Sequence, residues 1–318
     1  MTSGTVESTD LLKSRVYDAC FRDIDAQAAQ YQGYGQQYQQ LSRGPFEGRC
    51  RFFTFGEDLA INFETANRAL SVSALTPPGR YGACILLDES PPCALNAATV
   101  SHQDVVLCPE RRILEGQTPE GLSMFCLDVS RELLPDDGSI VTVCMRTDPE
   151  RSSQLRELVR AGLDASVALR LEHPAALRRF KSSLVDLLWL IAARPDVARD
   201  TRLDRKARAI RVFRRARDYI HNGLSDGISI VTLCREAGVS RRSLESVFRS
   251  VIGVSPASYI RVLQLNSVRR DLLSEACAGE SIGAIAARYG VWHWSRFSRY
   301  YRLQFGELPS ETRPRQSC

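Results

Sequence analysis

The stretch IAARYGVWHWSRFSRYYRLQFGELPSE, residues 285–311, decides how the rest of the chain is read. Tryptophans, arginines and adjacent tyrosines crowd together in it, with few acids. A buried core excludes arginines, and a plain solvated surface does not favour tryptophans. The mixture makes sense as one short helix with two faces. Phe297 and Tyr301 lie four apart and, with Val291, point to a core. Trp294, Ser295, Ser298 and Arg299 fall on the opposite side, while Trp292 reads as a core residue because Trp is usually mostly buried.

The pattern occurs twice. Gly238-Val239 and Gly290-Val291 are 52 residues apart. Each pair follows a small apolar stripe: Ile230, Leu233, Cys234 and Ala237 in the first copy, Ile282, Ile285, Ala286 and Tyr289 in the second. With one extra residue in the second turn, the later positions match at an offset of 53: Leu244 with Phe297, Phe248 with Tyr301, Gly253 with Gly306, and Pro256 with Pro309. Each copy is therefore a helix, a tight turn at glycine, a second helix, a glycine stop and a proline. That is the sequence form of a helix-turn-helix. Ser240 is placed to cap the second helix of the first copy. A longer helix over Pro256 to Ala276, with Ile260, Leu263, Val268 and Leu272 apolar, joins the copies.

On these residues, CREAGVSRRSLESVFRSVIGVSPASYI (234–260) and the stretch quoted first, the region 205–318 resembles the DNA-binding domain of the AraC/XylS family of bacterial transcription regulators. The resemblance implies two recognition helices that enter adjacent major grooves. The first is Ser240 to Val251, with Ser240, Arg241, Arg242, Glu245, Ser246 and Arg249 as DNA-binding residues. The second is His293 to Gln304, with Trp294, Ser295, Ser298 and Arg299. Two departures stand out: Gln264-Leu265 where the family often has Arg-Leu, and a bulky Trp294 where a polar reader is common.

Charge divides along the same line. Residues 205–318 hold 20 Lys and Arg against 9 Asp and Glu, a net +11, within a 318-residue chain whose total is +5. The first 204 residues are therefore mildly acidic. A basic module of this kind favours polyanions. The N-terminus MTSGTVESTDLL has no apolar export segment, and the longest apolar run, Leu184 to Ala193, is broken by Asp186. A cytoplasmic location is expected, with the ten scattered cysteines reduced.

Residues 1–36 read as helical or irregular. From Gln37 to about Val129, short apolar runs (Arg51–Phe55, Leu59–Phe63, Ala83–Leu87, Asp104–Cys108, Met124–Val129) alternate with GPFEG, TPPG, ESPP and QTPEG, which reads as a β-sandwich or barrel. From about Arg151 the period is helical. Leu155, Leu158, Val159 and Leu163 form one stripe, and Leu177, Phe180, Leu184, Leu188 and Ile191 form a second. The second stripe either packs on the chain's own barrel or pairs with a second subunit, and a homodimer is the expectation. The N-terminal part is similar, more loosely, to the cupin-like effector domains of the same family.

The expected architecture is thus α+β. Residues 1–193 form a cupin-like effector-binding and dimerisation domain, with its barrel at about 37–130 and helices at about 151–193. Residues 194–204 form a linker, and residues 205–318 an all-α DNA-binding domain with two helix-turn-helix motifs. The four histidines, His102, His173, His221 and His293, have no metal-ligand spacing, and no nucleotide-binding or nucleophile-elbow motif is present. No metal, cofactor or catalysis is expected. The function expected is a DNA-binding regulator, an activator responding to a small organic metabolite, with duplex DNA, RNA polymerase and the effector as partners. The alternative is a thiol-reactive sensor or an enzyme domain fused to a DNA-binding module, with Cys84 or Cys108 reactive; the apolar runs around Cys84, Cys108 and Cys126 argue for burial.

Overall fold

The computed structural model describes residues 15–134, 145–146, 149–163, 173–192, 201–225 and 227–313. Its strands are β1 Arg15–Phe21, β2 Gln37–Gln40, β3 Gly48–Thr54, β4 Leu59–Ala66, β5 Leu70–Leu75, β6 Arg80–Leu86, β7 Cys93–Leu95, β8 Ala98–Val100, β9 Asp104–Cys108, β10 Ile113–Thr118, β11 Leu122–Ser130 and β12 Met145–Arg146. A short helix, α1 (Ile24–Ala28), sits between β1 and β2. The strands pair, all antiparallel, into two separate sheets. The larger has the order β1-β3-β4-β11-β6-β9-β12 and the smaller β2-β5-β10-β7-β8.

Strand alternation sorts each sheet into two faces. In the larger sheet, Phe53, Ile61, Ile85, Phe125 and Leu127 pack on one side against α2 (Pro149–Leu163) and α3 (Pro174–Ala192). From the other side, Leu86, Val106, Leu122 and Met124 meet Tyr38, Val72, Leu95 and Leu114 of the smaller sheet. The core therefore lies in two layers, one under the helices and one between the sheets.

The apolar stripe of α3 belongs to the first layer. Leu177, Phe180, Leu184, Leu188 and Ile191 are all buried, Leu184 completely, and Phe180 stacks on Phe55 with ring centroids 5.2 Å apart. Those side chains are taken up by the chain's own sheet. They do not form a seam free for a second subunit.

Two further expectations differ from what is observed. β1 lies in the segment read as helical or irregular. It is an edge strand paired only with β3, and Val16 and Tyr17 are exposed, so it carries no alternation to reveal it. The QTPEG turn signal is overrun at its start, because Gln117 and Thr118 end β10.

Beyond residue 200 the chain is helical: α4 Thr201–Asn222, α5 Ile230–Ala237, α6 Arg241–Ile252, α7 Pro256–Leu273, α8 Ile282–Arg288, α9 Trp294–Phe305 and α10 Pro309–Thr312. α4 begins four residues before the expected position 205; of the expected linker, residues 194–200 lie outside the described residues. Two small cores form, one around Phe213, Leu244, Phe248 and Tyr259, the other around Leu272, Ile285, Phe297 and Tyr301. α7 serves both, which is why it is buried on several sides: Tyr259, Val262, Leu263, Leu265, Val268 and Leu272. No helix among the described residues is long and apolar enough to cross a membrane.

Candidate nucleic-acid interface and the cavity behind it

The two helix-turn-helix units are α5-α6 and α8-α9. Their turns are set by Gly238 and Gly290, with φ of 68° and 72°, a left-handed backbone that glycine adopts without steric cost. At Gly290 there is also no room for a side chain: an added Cβ would lie 3.1 Å from the Leu224 carbonyl oxygen. Ser240 caps α6, its Oγ accepting from the Ser243 amide at 3.2 Å. α9 starts after His293, which makes no side-chain cap bond. Gly253 and Gly306 end the two recognition helices, both left-handed, and Pro256 and Pro309 start the helices that follow.

On α6, Ser240, Arg241, Arg242, Ser246 and Arg249 are exposed and Glu245 is half-buried, while Leu244, Phe248 and Val251 face inward. On α9, Trp294, Ser295 and Arg299 are exposed and Ser298 is half-buried, with Phe297 and Tyr301 inside. The residues read from the sequence as DNA-binding thus lie on the solvent side of two basic helices. Trp292 reverses its expectation: it is 67% exposed, because it sits in the turn before α9 and not on the inward stripe. Trp294 is only partly free. Its ring lies on Gly283 of α8, where an added Cβ would meet Cζ2 at 2.4 Å, and it meets Phe297 edge-on at 5.8 Å.

The far ends of both recognition helices rest on the N-terminal part. Gln304 of α9 is buried; its amide donates to the Gln40 carbonyl at 2.7 Å, and its own carbonyl accepts from Gln40 Nε2 at 2.8 Å and the Gly44 amide at 2.9 Å. At the end of α6, Gly253 lies against the Gln117 side chain so closely that a Cβ would overlap Oε1. Asn266 of α7 accepts from the Gln40 amide at 3.1 Å. Glu115 of β10, 1% exposed, receives both Arg214 and Arg217 of α4. Arg270 pairs with Asp25 at 2.8 Å. Sequence reading missed this contact. Its only trace was polarity on inward faces: Asn266 among apolar neighbours on α7, and Gln304 one turn after Tyr301.

The smaller sheet is the common wall. Its residues Gln39, Ser71, Ser73, Glu115 and Gln117 face the helices, and the alternating Tyr38, Val72, Ala74, Leu114 and Thr118 face inward. Inward lies a cavity of about 360 Å³ between the sheets, walled also by Phe52, Asn62, Leu86, Val106 and Met124. Behind it Glu64 is fully buried, accepting from Gln27 Nε2 and the Tyr38 hydroxyl at 2.7 Å each and from the Tyr31 hydroxyl. Burial raises the Glu64 pKa, against the lowering effect of those three donors.

Four thiols, Cys84, Cys93, Cys108 and Cys126, reach the cavity wall. Cys84 and Cys126 are opposed across β6 and β11, with sulfurs 3.6 Å apart. The contact with Cys84, then burial, pushes Cys126 well up, and burial pushes Cys108 to about 11. Both are held as thiols, the form that is not nucleophilic.

Two paired helix-turn-helix motifs with outward basic faces, docked on a two-sheet domain with a cavity, define a class of DNA-binding protein. Residues 233–315 match the family model described as "Helix-turn-helix domain". The chain is 28% identical to the "Probable thc operon regulatory protein" of Rhodococcus erythropolis over 233 residues, 69% of each chain. It is 40% identical over 100 residues to the "XylDLEGF operon transcriptional activator" of Pseudomonas putida, 31% of each. A solved structure of a probable AraC family transcriptional regulator from Rhodopseudomonas palustris is 30% identical, with 32% of this chain and 93% of that one covered and a TM-score of 0.30. Residues 233–315 thus carry a helix-turn-helix domain like that of the AraC/XylS-type operon regulators to which the chain is similar. Its match spans 69% of the Rhodococcus relative but less than a third of the Pseudomonas one.

Proposed function

We propose that this protein is a sequence-specific, DNA-binding transcription regulator whose hold on DNA responds to a small molecule in the cavity between the sheets. The observation that carries the reading is the common wall. One sheet has the cavity on one face and, on the other, the contacts that hold the ends of both recognition helices. A molecule that favours one shape of that wall favours one placement of the helices. Differential affinity of this kind is what ligand control requires.

In this reading residues 1–193 are the effector domain, a cupin-like arrangement of two facing sheets. Residues 194–204 are the connection, and 205–318 the DNA-binding domain. Ser240, Arg241, Arg242, Glu245, Ser246 and Arg249 of α6, and Trp294, Ser295, Ser298 and Arg299 of α9, face successive major-groove segments about one helical turn, ~34 Å, apart. The Ser240 hydroxyl already caps α6, so its contribution there is positional. The action proposed is activation through contact with RNA polymerase in the cytoplasm, without chemistry on a substrate. A homodimer remains part of the reading, using a surface other than the buried α3 stripe. The raised pKa of Cys108 speaks against that thiol as a reactive sensor.

Footprinting of the full-length chain on its own promoter, repeated with Arg242→Ala and Arg299→Ala, tests this. Two protected major-groove segments are expected. Each substitution should cost roughly 1–3 kcal/mol, concentrated at one base position if the arginine reads a guanine. Protection of a single groove segment, or no sequence preference at all, overturns the proposal.

A further inference from the structure

The chemistry of the cavity wall says what kind of molecule it takes, an inference that rests on the cavity being the effector site. Among the described residues its lining contains no lysine, arginine or histidine. The one carboxylate in the lining, Asp128, is already engaged: Arg80 Nε donates to it at 2.7 Å and the Tyr34 hydroxyl at 2.8 Å. A carboxylate or phosphate entering here would lose its water and find no cation, and an ammonium would find no unengaged anion. Burying an unpaired charge is strongly unfavourable.

Most of the wall is apolar. At one end stands a polar cluster of Tyr31, Asn62 and Cys126. Asn62 is 3% exposed, and its amide nitrogen donates to the Tyr31 hydroxyl. Its carbonyl oxygen, Asn62 Oδ1, is buried with no hydrogen-bond partner. That oxygen has essentially no accessible surface, so a molecule in the cavity does not reach it. The fully buried Glu64 supports the same end through Tyr31.

We infer that the cavity takes an uncharged, largely apolar molecule, larger than a single benzene ring. The size follows from comparison: a cavity of about 150 Å³ holds benzene, and this one is about 360 Å³. The apolar body lies against Val72, Leu114 and Met124, so its contacts press on the inner face of the common wall.

Four isosteric probes test the class on the full-length chain: 2-naphthalenemethanol, 2-naphthoate, protonated 2-naphthylmethylamine and 2-methylnaphthalene. Affinities are measured by titration calorimetry near neutral pH. The hydrocarbon and the alcohol should each bind about tenfold or more tightly than either ion, which would lose its water and find no counter-charge. Leu114→Trp, which fills the cavity, should weaken every probe. Naphthoate or the amine binding as well as the hydrocarbon overturns the inference, as does no binding by any of the four. If ions win and Leu114→Trp still blocks them, the class is wrong but the effector site stands. If Leu114→Trp leaves the affinity of a bound probe unchanged, the site itself is wrong.

Discussion

Replacing Glu115 by glutamine removes one negative charge from the wall between the two parts and leaves its shape. Glu115 is 1% exposed, and its two partners, Arg214 and Arg217, keep 34% and 20% of their side-chain surface in water. Orphaning a fully buried charge costs about 3–5 kcal/mol, and an exposed ion pair contributes about 1 kcal/mol at most. The guanidiniums here lie between those limits. Arg217 also retains Asp218 at 2.8 Å, and Arg214 retains the Ile113 carbonyl at 3.3 Å. The cost should therefore be about 2 kcal/mol, a factor of ~30 in an equilibrium constant. Urea unfolding of the full-length chain measures it, in a cycle of Glu115→Gln, Arg217→Ala and the double substitution. The double variant should be less destabilised than the sum of the singles, by about 1–2 kcal/mol. Additivity within ~0.5 kcal/mol would mean the groups do not interact, and the description of this wall as an electrostatic clasp would fail.

Gly283→Ala should separate stability from DNA binding. Alanine favours α8 by up to ~1 kcal/mol, yet its Cβ displaces the Trp294 ring, so melting should hold or rise while operator affinity falls roughly tenfold; unchanged affinity would show that Trp294 makes no contact with DNA. Leu184→Glu places a charge at a site with no solvent exposure and should destabilise the fold by more than ~3 kcal/mol at any protein concentration. A folded monomer replacing a folded dimer would instead put α3 at a subunit interface. Glu64 has a raised pKa in the folded chain, so the native state holds a proton that the unfolded state releases. Stability should then fall as pH rises from about 4.3, the unfolded value, toward the folded one. Glu64→Gln should remove that fall in melting temperature above about pH 4.3, and parallel curves would refute the assignment.

The helical half was legible because its signals are local. A glycine turn, a serine cap and a proline start each act within a few residues, and the two copies check one another. Ser240, Gly238, Gly253 and Pro256 do what their types suggest. The sheets were legible where strands carry apolar or alternating runs, such as Asp104–Cys108, buried at every position, and Leu59–Phe63. β1 and β2 escaped, the first as an exposed edge, the second as QYQQ, whose glutamines are used across the domain contact. That contact was not legible at all. Glu115, Gln40, Asn266 and Gln304 lie up to 264 residues apart in sequence, and nothing in the local pattern around one names the others. Trp292 failed for a related reason: average burial of a residue type says little about a turn at the end of a protruding motif.

The smaller sheet separates two kinds of heredity. Along β5 and β10, neighbouring residues belong to different tasks: Val72 and Leu114 shape what fits inside, while Ser73 and Glu115 meet the helices. If the cavity is the effector site proposed above, a substitution at one parity alters which molecule is accepted, and a substitution at the other alters how firmly the message is passed on. Lineages that inherit this wall can therefore drift to new chemical cues, one inward residue at a time, with the output machinery left intact. The two-residue repeat of a β-strand here works as a partition between vocabulary and grammar.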